Sequence, residues 1–161
     1  MVLLCLLTTS MASAGDSIEL AAGKASDSID AMRIAWQRPW SRQWPRGNSG
    51  MFSGYHALSI NYWQDERESI TALGYSPVFS YQPNRAAWYL RFGIGAAYLS
   101  DTRIAGRILS TRFQFEDQFG IGWRRGRHNL ALVYMHYSNA GIEKPNHGID
   151  LLLLSYVLTL N

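Results

Sequence analysis

The 161-residue chain contains one cysteine, Cys5. It lies inside a short apolar stretch at the N-terminus, so a disulfide framework is excluded. There is no run of ~20 apolar residues, the length a helix needs to cross a bilayer. The charge is not of one sign: 15 Lys and Arg stand against 12 Asp and Glu, a formal net charge of +3. That balance is too mild, and its basic residues too scattered, for a nucleic-acid surface. Metal-ligand clusters are missing from the sequence, as are soluble linkers and low-complexity tracts. Mean hydropathy is −0.14, which gives no simple case for an integral membrane protein. A transmembrane β-barrel escapes that test, because only one face of each strand is apolar. What the chain does have is aromatic side chains, 13% of residues with Trp 6 and Tyr 9.

The N-terminus stands apart. Val2 to Leu7 is apolar, and Ala12-Ser13-Ala14 forms a small-residue cleavage pattern before Gly15. Residues 1–14 are therefore expected to be a secretory signal peptide and 15–161 a single β-barrel domain. The basic segment that normally opens such a peptide is missing, so the true start is expected upstream. Cys5 would leave with the leader. Bulky Leu4 before it makes it a poor lipid-attachment site.

Further along, the recurring signal is alternation with period two, the mark of strands. Trp88, Leu90, Phe92, Ile94, Ala96 and Tyr98 make a greasy face, while the positions between them, Tyr89, Arg91, Gly93, Gly95 and Ala97, make a face that is small or polar. Phe113, Phe115, Phe119, Ile121 and Trp123 make a second greasy face, opposed by Arg112, Gln114, Glu116, Gln118, Gly120 and Gly122. A soluble sandwich would bury the greasy face; a membrane barrel turns it to lipid. Strands are expected near Ser17–Lys24, Ile29–Gln37, Phe52–Gln64, Ser69–Tyr81, Ala87–Leu99, Leu109–Trp123, Asn129–Asn139 and Ile149–Leu160. The fold class is thus all-β, an eight-stranded antiparallel transmembrane barrel of the outer membrane, the smallest size of bacterial barrel. Turn residues punctuate it at Ser26-Asp27, Gln64-Asp65-Glu66, Pro83-Asn84, Arg125-Gly126 and Pro145-Asn146. Trp36, Tyr62, Tyr81, Trp88, Tyr98 and Trp123 fall near strand ends, where aromatic girdles belong. Two places resist. Residues 38–50, with Trp40 and Trp44, are long for a periplasmic turn and are expected to rest on the membrane surface. Asp117 falls on a greasy parity, which calls for a β-bulge or a polar neighbour, because a charge facing lipid is costly.

The chemistry-bearing stretch is Met135-His136-Tyr137-Ser138-Asn139-Ala140-Gly141-Ile142, followed by Pro145-Asn146-His147-Gly148-Ile149-Asp150. His-x-Ser alone is weak, but on a strand positions i and i+2 share a face about 6.5–7 Å apart. A short connection returns the chain antiparallel and brings Asp150 beside them. A serine nucleophile, a histidine base and an acid that orients the histidine form the acyl-transfer arrangement. His136 and Ser138 share the parity of Leu130, Leu132 and Tyr134, and Asp150 that of Leu152 and Leu154. All three polar groups thus face lipid, where polar side chains point to function. With both termini in the periplasm, the group lies at outer-leaflet height. A His and a Ser near a strand end also suit an interface where water and headgroups satisfy them, so spacing leaves both readings open.

These residues carry a resemblance. His136-Tyr137-Ser138-Asn139-Ala140-Gly141-Ile142, with Pro145-Asn146, Gly148-Ile149 and an acid at 150, resembles the PagL family of lipid A 3-O-deacylases. Ala72 to Phe79, Gly93-Ile94-Gly95 and Phe115-Glu116-Asp117 are weaker likenesses along the chain. The resemblance implies an esterase that removes the ester-linked 3-O acyl chain of lipid A, with Ser138 as nucleophile, His136 as base and Asp150 as the acid, and with no metal or cofactor. It implies the Gly141 N–H and the Asn146 amide as oxyanion donors, and Asn139 as a residue that fixes the loop. The family's acid is usually Glu; Asp150 is one methylene shorter and must approach His136 more closely or act through water. The implied partners are lipopolysaccharide in the outer leaflet and outer-membrane lipid, with oligomeric state, a homodimer included, left open. Two other readings stand beside it. One is a non-enzymatic barrel serving adhesion or wall integrity, for which the His-x-Ser motif is dispensable. The other is a lipid A acyltransferase, which would admit an acyl chain into its lumen; the outward parity of His136 and Ser138 argues against that.

Overall fold

The computed structural model describes residues 15–25, 29–45 and 47–160. The expected leader and the Ser26-Asp27 turn lie outside them. Eight long strands close into a barrel: β1 Ser17–Ala25, β2 Asp30–Pro39, β3 Gly50–Gln64, β4 Ser69–Pro83, β5 Trp88–Leu99, β6 Phe113–Arg125, β7 His128–Ser138 and β8 Ile149–Thr159. Each pairs antiparallel with its sequence neighbours, β2 with β3 across the Trp-rich connection, and β1 pairs with β8, which closes the ring. Closure pairs each of these eight strands on both sides, as a bilayer demands.

Alternation becomes wall and interior. Phe92 and Ile94, with Leu132 and Leu154 from other strands, point outward and stay exposed, Ile94 at 69%. The intervening Tyr89, Arg91, Val133 and Leu153 are buried inside. The lumen is packed rather than open. Inside the barrel Glu19 accepts from Arg91 Nη1 at 2.8 Å and from Gln37 Nε2 at 3.1 Å. Glu116 accepts from Ser76 Oγ at 2.7 Å and Tyr137 Oη at 2.9 Å, and pairs with Arg33 at 3.2 Å. Arg33 also meets Glu19 at 3.4 Å, which joins the two clusters. Two guanidinium groups thus balance two carboxylates, each charge bonded as burial requires. Toward the end opposite the termini the filling turns apolar, with Trp63, Ile70, Leu99, Leu109, Met135 and Ile149 all fully buried. Trp63 meets Tyr137 edge to face at 4.6 Å.

One sequence expectation changes, and the two places that resist the strand pattern take a definite structure. The strand expected from Leu109 begins at Phe113. Ile104, Ile108 and Leu109 continue the apolar pattern, but Ala105 and Gly106 adopt φ of 50° and 73° and reverse the chain. Arg103–Ile104 then pairs with Arg107–Ile108 in a small hairpin, the two-residue turn that positive φ values favour. Residues 100–112 are therefore a folded loop over the barrel mouth. The ladder through Asp117 is continuous on both sides, so no bulge intervenes there. The segment after β2 hooks back onto the wall. Trp40 meets Phe79 edge to face at 4.9 Å and lies 5.7 Å from His56. It fits because Gly54 has no side chain: a Cβ there would stand 2.2 Å from the indole. Trp44 stays exposed beside it, as a residue resting on a membrane surface would.

Candidate active site

β7 and β8 build the site. Their register sets His136 directly opposite Asp150, and Tyr137 opposite Ile149. Directly opposed residues on one face bring their Cβ atoms within about 4.5–5.5 Å. The short aspartate therefore reaches the imidazole without an intervening water: His136 Nδ1 lies 2.7 Å from Asp150 Oδ1. A carboxylate only accepts, so Nδ1 carries the proton and Nε2 of the neutral ring is left as the acceptor. Tyr134, one outward position below His136, donates to the same Oδ1 at 2.6 Å. The His136 and Asp150 side chains are 36% and 50% exposed on the outer wall. Ser138 follows two residues after His136 on that face, half-buried at the strand end. No hydrogen bond joins its hydroxyl to the imidazole.

On its other side His136 is opposed by Asp117 of β6. The anomaly in the sequence is thus resolved by a polar neighbour: the one acid on the greasy face of β6 lies beside the one histidine of this site.

The loop 139–148 is held from within. Asn139 is fully buried. Its Nδ2 donates to Glu143 O at 2.8 Å and Leu109 O at 3.1 Å, and its Oδ1 accepts from Gly141 N at 2.8 Å. The N–H expected at the oxyanion is thereby engaged within the loop. Asn146 Oδ1 accepts from Asn139 N at 3.3 Å, which leaves its amide nitrogen uncommitted. Ala140 and Gly141, with φ of 52° and 80°, make the tight turn that follows Ser138. The 100–112 loop buttresses this one. His147 and Ile108 exchange bonds of 3.2 Å, Arg107 Nη1 reaches Gly148 O at 3.2 Å, and Ser110 Oγ donates to Pro145 O. Among the described residues no three His, Cys, Asp or Glu side chains converge as a metal site.

Sequence reading brought His136, Ser138 and Asp150 to one face and missed Tyr134, which passes for one more lipid-facing aromatic. Its spacing, two residues before His136, was the available signal. Arg107, Ser110 and His147 were missed because their roles depend on two loops distant in sequence.

Comparison with known proteins extends the geometry. The family described as lipid A 3-O-deacylase (PagL) matches residues 30–159. The lipid A deacylase PagL of Pseudomonas aeruginosa is 30% identical over 144 residues, which cover 86% of this chain and 83% of that protein. The lipid A deacylase PagL of Bordetella bronchiseptica is 32% identical over 137 residues, 81% and 76% of the two chains. The crystal structure of the outer membrane enzyme PagL superposes with a TM-score of 0.84 at 28% identity, covering 89% of this chain and 99% of that one. A de novo designed transmembrane β-barrel also superposes, with a TM-score of 0.60 over 91% and 96% of the chains, a likeness of fold alone at 12% identity. Barrel, wall and likeness together make this chain an outer-membrane β-barrel enzyme of the hydrolase class. It belongs to the PagL family of lipid A 3-O-deacylases.

Proposed function

We propose that this enzyme hydrolyses the ester that holds the 3-O acyl chain of lipid A, with Ser138 as nucleophile, His136 as general base and Asp150 as the acid that orients it. The observation that carries the reading is the 2.7 Å bond from His136 Nδ1 to Asp150 Oδ1 on the lipid-facing wall. It fixes the ring tautomer and leaves Nε2 to take a proton from a hydroxyl on the same face. Ser138 Oγ adds to the ester carbonyl as its proton passes to Nε2. The tetrahedral intermediate collapses by breaking the carbonyl–sugar oxygen bond, and the sugar oxygen takes the proton back from the imidazolium. Water, activated by the same nitrogen, then cleaves the acyl-enzyme and releases the free acid. The Ser138–His136 contact tightens when substrate arrives, as catalytic hydrogen bonds commonly do. The uncommitted Asn146 amide is the readier oxyanion donor; Gly141 joins it by sharing the N–H now directed at Asn139.

The location suits a substrate that diffuses within the outer leaflet and presents its ester at headgroup height. The packed lumen favours this over an acyltransferase that takes an acyl chain inside. The test is the initial rate of acyl release from lipid A in detergent, with folding checked by heat-dependent gel mobility. Ser138→Ala and His136→Ala should each fall by about four orders of magnitude or more, and the double variant should match the singles, because members of one triad act together. Near-wild-type rates in both single variants, with the barrel folded, would end the mechanism.

A further inference from the structure

His136 stands between two carboxylates. Asp150 on β8 and Asp117 on β6 are both its cross-strand partners. Register alone offers the imidazole N–H either acid, and the structure commits it to one. The difference between the two sides is Tyr134. Across β8 it lies diagonal to Asp150, and its hydroxyl donates to Asp150 Oδ1 at 2.6 Å, the oxygen that also accepts from His136 Nδ1 at 2.7 Å. Across β6 its partner is Phe119, which sets it diagonal to Asp117 as well, but its hydroxyl bonds Asp150 and makes no hydrogen bond to Asp117.

We propose that Tyr134 is a positioning residue of the deacylation reaction: it locks the Asp150 carboxylate against His136 and so decides which of two flanking acids orients the base. This rests on the Ser138–His136–Asp150 reading above. An aspartate has two side-chain torsions and few other partners on an apolar wall. Two donors from positions i and i+2 of the facing strand, converging on one oxygen, select a single rotamer. A half-exposed tyrosine at this height would otherwise be a membrane anchor with its hydroxyl in the headgroups. Here the hydroxyl is spent on the site instead. Because Tyr134 acts through Asp150 and touches no reacting atom, its loss should slow chemistry without weakening substrate binding.

The experiment compares wild type, Tyr134→Phe, Asp150→Ala and the double variant in detergent with purified lipid A, recording kcat and KM for folded protein. Tyr134→Phe removes one oxygen and keeps the ring. It should lower kcat by about tenfold, the size of one hydrogen bond to a charged group, with KM unchanged. In the Asp150→Ala background the same change should cause no further loss. A wild-type kcat for Tyr134→Phe would overturn the proposal, and so would an equal loss in both backgrounds. A raised KM at unchanged kcat would also overturn it, placing Tyr134 against the lipid instead. If Asp150→Ala is too slow to follow, the kcat and KM of Tyr134→Phe decide alone. Ser138→Ala and His136→Ala run alongside separate the two claims. Activity in those variants would remove the triad itself, whereas their inactivity beside a fully active Tyr134→Phe would remove only this inference.

Discussion

Gly148 is the residue on which the site's geometry is tightest. Its φ is +62°, and a Cβ there would lie 3.1 Å from His136 Cε1 and 3.1 Å from Tyr137 O. A side chain meets two obstacles at once: a left-handed backbone that costs about 1–2 kcal/mol for a non-glycine residue, and the imidazole itself. The backbone cannot yield easily, because Gly148 O holds Arg107. The ring is the softer party and should move off its bond to Asp150. Gly148→Ala is therefore expected to lower the deacylation rate by about tenfold or more, since ångström-scale misplacement of a catalytic group has effects of that order. Rate measurement on variant protein that retains folded gel mobility checks this. A wild-type rate would mean that His136 tolerates the shift.

At the scale of elements, the two loops at the mouth matter as one unit. Asn139 is where they meet, since its amide bonds Glu143 O in its own loop and Leu109 O in the other. Asn139→Ala removes the partner of Glu143 O and of the Gly141 N–H, part-buried bonds worth about 1 kcal/mol each, while Leu109 O keeps Thr111 N and Gln114 Nε2. The strands do not depend on it, so the barrel should stay folded while loop 139–148 loosens. The expected outcome is faster proteolysis confined to the two loops, together with a deacylation rate reduced several-fold. Unchanged cleavage and unchanged rate would show that the loops are held by other contacts. This buttress was not legible in the sequence. Leu109 carried the apolar parity of a strand, and only its burial beneath a hairpin explains why the pattern ran past the strand's true start at Phe113.

For the whole molecule, the charged lumen is the element of greatest consequence. Glu19 binds Arg33, Arg91, Gln37 and Ser155. Glu19→Ala would leave the buried Arg91 guanidinium with Gln118 but without its acid, and Arg33 with Glu116 as its one carboxylate. Breaking a buried network from one side costs about 3–5 kcal/mol. The urea midpoint of the variant folded into lipid vesicles should drop accordingly, and heat-dependent gel mobility should be lost at a lower temperature. A midpoint equal to that of the wild type would show that water entering the lumen replaces the carboxylate. The deacylation rate measured well below the midpoint should be preserved, because the network lies inside the wall and the site outside it.

Alternation along each strand is enough to assign every residue its side of the wall. A strand has period two, a bilayer accepts one polarity, and so Ile94, Leu132, His136, Ser138 and Asp150 could be placed on the lipid side from spacing alone. It also exposed Asp117 as out of place. Tertiary structure decided what such parity cannot carry: which strands are neighbours and in what register. That pairing turned Asp117 from a misplaced charge into a neighbour of His136. It brought the shorter acid at 150 into direct contact with His136, and it gave Tyr134 a partner on another strand. Parity is a property of one strand at a time, whereas the proposed site on the barrel wall is a property of three strands side by side, and their alignment is set by closure of the whole ring.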